Sequence, residues 1–432
     1  MKPDINQQLQ RIKEKLKKAG KCDSKYEIFG ASEHHYKLNK INKEELDRIL
    51  ADNDFKLPED FYQFLVSLGT GAGPYYGISK ISKLLNGNDN MNPSKDCILY
   101  PKMSIEEWNN LIAPILDDNI SDEEYDKAHE RIMGGLAYIG TQGCEYDMYI
   151  VLNGSHCGRV IYTDSFYENQ PFFFVYETTF LDWYERWLDE IIAGYDISWF
   201  GTKMSGDETA LINFYTTAKD DETRLAALNS MFKFKKCSSG TILFLKACAD
   251  VTEDKSCFTT MVSLICKTSP IEGADYVLRL LAGDDNDILS ALTTLWHYFK
   301  DNLNPYIPFV KEALAKTESA KALTYAGYIL NATNSASLNN FERFLLSNDV
   351  GMVKDAIYAS CSAAHANQRQ AVDLAVKFLQ HLDDNVFHAF IMFWPIFSDS
   401  RLLHIYEHFL SLPQFGENLN FSGRIKESIQ QM

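Results

Sequence analysis

The residues best placed by type and spacing for chemistry are His404-Ile-Tyr-Glu407-His408. On a helix, two histidines four positions apart can share a metal ion while an intervening glutamate serves as base. Such a site also needs a further protein ligand from elsewhere, and the chain singles none out. A polar surface helix produces the same five-residue pattern by chance, so no metal is expected. His34-His35 lies in a polar segment with no partner at ligand spacing. Cys144, Cys157, Cys248, Cys257 and Cys266 lack the paired spacing of a zinc ribbon and read as small buried residues. The glycines at 69, 71, 73 and 77 follow a helical pattern rather than a strand, with no Gly-Lys-Ser/Thr after them. They therefore do not make a phosphate loop. Glu145 and Asp147 flank Tyr146 and could pair for acid–base work, but a solvated hairpin explains them as well. No catalytic constellation and no cofactor site emerge.

The elements that would carry these residues can be read in outline. In Leu57–Ile78, LPEDFYQFLVSLGTGAGPYYGI, Pro58 suits a first helical turn and Glu59 and Asp60 follow where the helix dipole favours negative charge. Phe61, Phe64, Leu65 and Leu68 give that helix one apolar face, and Gly69 closes it. Ile5, Leu9, Ile12 and Leu16 form the stripe of an N-terminal basic amphipathic helix, for which docking on its own protein is favoured over a membrane. Its run Arg11–Lys21 has no interleaved aromatics, so no nucleic-acid binding is expected. A polar segment, 21–40, follows. Asn42 with Glu45, and Ser104 with Glu107, have the spacing of helix capping boxes. The stretch 79–104 between them is poor in helix signals, and 117–130 is a charged helix or loop. Leu136–Ile139, Met148–Leu152, Arg159–Thr163 and Phe172–Tyr176 read as strands, with Asn153-Gly154 as a hairpin signal. Thr179–Ile192 is an amphipathic helix. Strands and helices mix without regular alternation, which predicts α+β.

From about Asp207 strand signals thin out. Helical runs recur, several starting at acidic turns: Asp284-Asp285, Glu318, Asp349 and Asp383-Asp384. Their intervals of 34, 31 and 35 residues each hold two helices, which predicts an all-α solenoid of HEAT-like repeats.

At 432 residues the chain is too long for one core. The division expected is an N-terminal amphipathic helix and linker (1–36), an α+β domain (37–200) and a helical repeat domain (201–432). Of the net charge of −17, residues 1–40 carry +5, residues 41–200 carry −17 and residues 201–432 carry −5. A field of that sign repels nucleic acid and membrane and draws in a basic partner. Nine cysteines without C-x-x-C pairs, no apolar membrane-length run and an N-terminus without an apolar core predict a cytoplasmic location.

Three patterns occur in a telling order: LPEDFYQFL with GTGAGPYYGI; then Gly135-Leu-Ala-Tyr-Ile-Gly140-Thr-Gln-Gly-Cys144 with Gly158-Arg-Val-Ile; then FLDWYERWLDEII at 180–192. Together, over roughly residues 37–195, they resemble the SUKH superfamily, which includes the yeast cell-wall assembly regulator and many bacterial immunity proteins. The family often has glycine after the Gly-Cys pair, where this chain has Glu145. The resemblance implies a non-enzymatic module with a twisted, mainly antiparallel sheet packed by helices. It also implies an immunity protein that blocks a cognate polymorphic toxin, such as a basic nuclease, by direct binding. The alternative is a regulatory scaffold without a toxin. The contact residues expected are Tyr75, Tyr76, Glu145, Asp147, Asp164 and Glu168, on the glycine loop and the acidic hairpin.

Overall fold

The structure is a computed structural model that describes residues 4–84, 92–164, 167 and 170–432. Residues 85–91 of the expected helix-poor stretch, and Glu168, lie outside the described residues. The chain divides into two compact units, residues 1–238 and 239–432. The first is a mixed α/β region with two small antiparallel sheets, and the second is mostly helical and packed as repeats.

In the first unit the elements run α1 (Ile5–Cys22), α2 (Ala31–His34), β1 (Leu38–Asn39), α3 (Lys43–Asp52), α4 (Glu59–Ser67), β2 (Thr70–Gly71), α5 (Ile105–Ile112) and α6 (Asp122–Met133). They continue with β3 (Leu136–Gly143), β4 (Tyr146–Val151), β5 (Val160–Asp164), β6 (Phe173–Phe174), α7 (Phe180–Ile192), α8 (Glu208–Thr217) and α9 (Asp221–Ser230). The main sheet is an antiparallel meander in the order β3-β4-β5-β6, while β1 and β2 pair separately. Alternation along the strands sends side chains to two cores. Ala137, Ile139, Met148, Ile150, Val160 and Tyr162 face the core built with α1, α4 and α7. Leu136, Tyr138, Tyr149, Val151 and Ile161 face the core of α5 and α6, centred on Trp108. Both faces of the sheet are therefore covered.

Local chemistry explains the helix starts. The Asn42 side chain accepts from the Glu45 amide at 3.1 Å, and Ser104–Glu107 and Ser121–Glu124 are reciprocal capping boxes. The charged run 117–130 thus becomes helical from Asp122 onward. The basic helix α1 packs on α7: Arg11 and Lys15 pair with Glu185 at 2.9 Å, and Lys15 reaches Asp189 at 2.7 Å. Residues 21–36 are not an open linker. Ala31 and Tyr36 belong to the core, and the Tyr36 hydroxyl donates to Asp23 Oδ2 at 2.7 Å. The tight hairpin of the sheet is Cys144-Glu145, whereas Asn153-Gly154 opens a longer connection through a short 3-10 turn. There the Asn153 side chain is drawn away from the turn, its Oδ1 accepting from the Cys97 amide at 2.8 Å.

The second unit comprises α10 (Ser239–Ala249), α11 (Lys255–Thr268), α12 (Pro270–Leu281), α13 (Asp285–Tyr298), α14 (Ile307–Lys316), α15 (Ala320–Ala332) and α16 (Leu338–Leu345). It ends with α17 (Val350–Ala359), α18 (Cys361–Ala366), α19 (Gln368–Phe378), α20 (Asp384–Phe393), α21 (Leu403–Leu410), α22 (Pro413–Gly416) and α23 (Leu419–Gln430). The acidic repeat starts have a physical cause: Asp284, Asp349 and Asp383 are the N-caps of α13, α17 and α20. Glu318 is the exception. Ser319 caps α15, and Glu318 instead pairs with Arg343 at 2.6 Å. Helices α13, α15, α17 and α20 stack densely on one another, while α12, α14, α16 and α19 touch only sparsely. Gly327 on α15 permits part of that approach, since a Cβ there would lie 2.7 Å from Ala359 Cβ of α17.

Candidate functional site

The glycine loop begins where α4 ends. Gly71 and Ile78 exchange both backbone hydrogen bonds, at 2.8 and 2.7 Å, so residues 72–77 form a closed loop. Gly77 is required at its base: its φ is +85°, and a Cβ would lie 2.0 Å from the Gly71 carbonyl oxygen. Beneath the loop sits His34, buried, its Nδ1 accepting from the Tyr36 amide at 3.0 Å and its ring packed edge-on against Trp187. Burial holds its pKa down at about 4, against the opposing hydrogen bond to the Gly73 backbone. The polar segment around His34-His35 therefore contributes a core histidine that supports the loop. Composition alone gave no sign of it.

The loop then runs beside the outer edge of β3. Ser79 donates to the Ile139 carbonyl at 2.9 Å, Tyr138 donates to the Leu84 carbonyl at 2.9 Å, and Tyr76 donates to Thr141 at 3.4 Å. This brings Tyr76 against the hairpin tip, where a Cβ on Gly143 would lie 2.9 Å from Tyr76 Cε2. Phe29 packs edge-on to Tyr76 at 5.3 Å. Phe29, Tyr76 and Tyr146 are 54%, 40% and 39% exposed, and Glu145 at the turn is exposed beside them in sequence.

The six expected contact residues separate into distinct groups. Tyr76 and Glu145 are exposed at the tip. Tyr75 is 7% exposed: with φ +54° it turns inward, and its hydroxyl donates to the Phe200 carbonyl at 2.9 Å. Its side chain anchors the loop and is not part of the outer surface. Asp147 and Asp164 are half-buried and on opposite faces of the sheet, because Asp147 pairs across β5 with Thr163 while Asp164 pairs with Tyr146. Burial, with Glu145 adding to it, pushes the Asp147 carboxyl above its ordinary value. Phe29 and Tyr146 were not singled out in the sequence. The first is 47 residues from Tyr76, and the second reads equally well as a strand residue.

The acidity of residues 41–200 is also unevenly disposed. The α7 carboxylates are largely neutralised within the unit: Glu185 and Asp189 by α1, and Glu190 by Arg186 at 3.0 Å and the fully buried Lys233 at 2.8 Å. By contrast Asp117, Asp118, Asp122, Glu123, Glu124 and Asp126 are all exposed. Within that run Lys127 pairs with Glu123 at 2.6 Å. The run leads into and forms the first half of α6, on the side of the sheet that Asp147 faces.

Other candidates are dispersed. Glu407 and both histidines of the α21 motif are exposed, with His408 packed on Phe409. Among the described residues no group of three or more His, Cys, Asp and Glu side chains is arranged to hold a metal ion. None of the nine cysteines forms a disulfide, and Cys144 and Cys157 are exposed rather than buried because they lie in a turn and a connection. Among the described residues no helix is long and apolar enough to cross a membrane. The described surface thus places exposed aromatic rings at the hairpin tip and a run of exposed carboxylates leading into α6. Compared with known proteins, the chain matches no family model, no curated protein and no solved structure.

Proposed function

We propose that the protein is a non-enzymatic, cytoplasmic immunity protein whose SUKH-like α+β module neutralises a cognate toxin through its acidic side, with a HEAT-like solenoid as second domain. The observation that supports this most is the exposed carboxylate run of 117–126, on the same side of the sheet as Asp147 and part of the module with the aromatic hairpin tip. A toxin acting on nucleic acid carries cationic surface for its phosphate-rich substrate, and that surface is what a run of carboxylates attracts. Exposed Tyr and Phe supply the rigid apolar anchors that carry most of the energy of such interfaces.

The test is calorimetric binding of the full chain to the basic toxin domain encoded by the neighbouring gene, at low and high salt. Affinity falls steeply with salt, and Asp122→Lys with Glu123→Lys weakens it at low salt. Affinity independent of both salt and charge reversal would overturn the electrostatic reading. Absence of binding to any neighbouring product, with several unrelated partners bound instead, would favour the regulatory scaffold.

A further inference from the structure

The second unit carries one aromatic residue per repeat at the surface of its densely packed layer, Trp296 of α13 and Tyr328 of α15 half-buried, Tyr358 of α17 and Phe393 of α20 exposed. The rings form a continuous ladder. Trp296 meets Tyr328 at 5.3 Å, Tyr328 meets Tyr358 at 6.2 Å, and Tyr358 meets Phe393 at 5.0 Å between centroids. Tyr358 and Phe393 are 43% and 36% exposed, and Met392 beside them is 51% exposed. A hydrophobic core has no use for apolar side chains at these positions, and aromatic and methionine residues of this kind mark interfaces.

Charge on the same face narrows the occupant. Residues 239–432 hold 15 Lys/Arg against 21 Asp/Glu, a net acidic unit. Along the ladder the balance reverses. The Lys300 ammonium lies 5.0 Å from the Trp296 ring centre. Lys354 is one helical turn before Tyr358, and Lys321 one turn before Tyr325, whose ring touches Tyr328 at 5.8 Å. Of the acids nearby, Asp355 is half-buried beside Lys354, and Asp349 is exposed at the start of the same helix. The ring steps are close to the roughly 6.6 Å that two residues span in an extended strand. Successive rungs thus meet alternate side chains of an extended chain. Single-stranded nucleic acid is the less suitable occupant, because Tyr328–Tyr358 and Tyr358–Phe393 are locked edge-to-face at 87° and 81°. Stacked bases need open ring faces.

We infer that this ladder is a docking groove for an extended acidic segment of a partner protein, with apolar side chains at alternate positions. The test uses the full chain and three fluorescein-labelled probes read by anisotropy: a decapeptide of alternating Glu and Leu, its Lys–Leu counterpart, and an oligothymidylate. The Glu–Leu probe binds at least about tenfold more tightly than either other probe, and Tyr358→Ala with Phe393→Ala weakens it by about tenfold or more. Lys321→Glu with Lys354→Glu, both at exposed positions, transfers the preference to the Lys–Leu probe. Equal binding of the two peptides, a preference for the oligonucleotide, or wild-type affinity in the aromatic variant would overturn the inference. Self-association of the chain abolished by the same variants would also overturn it, placing a second copy in the groove.

Discussion

Acid should destabilise the first unit through His34, by an amount that can be worked out. In the folded chain His34 is buried, accepts a hydrogen bond from the Tyr36 amide and titrates at about 4. Unfolded, it titrates near the ordinary value of about 6.5. Its folded pKa is depressed, so between these values the unfolded chain binds a proton that the native chain does not, and stability falls as pH falls. The contribution is fully retained above about pH 7 and lost progressively down to about pH 4, where it levels off. At pH 5 the loss is about 2 kcal/mol, from about 1.4 kcal/mol for each pH unit below 6.5. The full span reaches about 3 kcal/mol. The measurement is urea unfolding of the full chain, followed by Trp fluorescence, from pH 8 to pH 4.5, beside His34→Gln. Gln keeps an acceptor towards Tyr36 but cannot be protonated. Other groups titrate in both proteins, including His129, whose pKa burial also lowers, so the informative quantity is the difference between the two curves. The wild type loses about 2 kcal/mol more than His34→Gln by pH 5. Parallel curves would refute the reasoning, showing that the ring is reached by water or that the loop above it opens before the histidine titrates.

Other perturbations have equally definite outcomes. Lys233→Met removes a cation buried at 0% exposure against Glu190 and should cost about 3 kcal/mol in chemical unfolding, while adding Glu190→Gln should recover part of the loss. Gly77→Ala places a methyl group against the Gly71 carbonyl at positive φ and should cost about 2 kcal/mol or more, seen as a lower melting temperature. Phe29→Ala with Tyr76→Ala, at exposed positions, should leave the melting temperature nearly unchanged and weaken toxin binding by about tenfold or more in calorimetry. Gly327→Leu should separate α15 from α17, lower the unfolding midpoint and quench Glu–Leu peptide binding together, because the ladder residue Tyr328 is its neighbour in sequence.

Much of the architecture was legible because it rests on local rules. Capping spacings at Asn42, Ser104 and the repeat starts mark helices wherever they occur, since orphan amides must be satisfied. The strands of the meander showed themselves by apolar runs. What escaped was decided by contacts distant in sequence. His34 looked polar and solvated, yet it is enclosed by Trp187 more than 150 residues away. Tyr75 and Tyr76 are adjacent and alike in composition, but the left-handed backbone at Tyr75 sends one ring inward and leaves the other outside. Net charge located the acidic segment without distinguishing the carboxylates of α7, spent on internal pairs, from those of 117–126. The hairpin signal at Asn153-Gly154 did mark the connection between the antiparallel β4 and β5, but not its length: Asn153 Oδ1 accepts from the Cys97 amide and the turn extends through Gly154–His156.

The strip of chain from Tyr76 to Leu84 has a consequence for how this module can change over evolutionary time. By occupying the amide and carbonyl groups along the outer edge of β3, it removes that edge from strand pairing, and β6 at the opposite side is only two residues long. A binding partner cannot extend the sheet at β3 by contributing a strand of its own, a mode of recognition that depends mainly on backbone and tolerates almost any sequence. On the proposed reading, recognition is left to the side chains that project from the tip and from α6. Those positions support no core, so they are free to be rewritten. Substitutions at those surface positions can therefore change what the module presents while the framework beneath them stays the same.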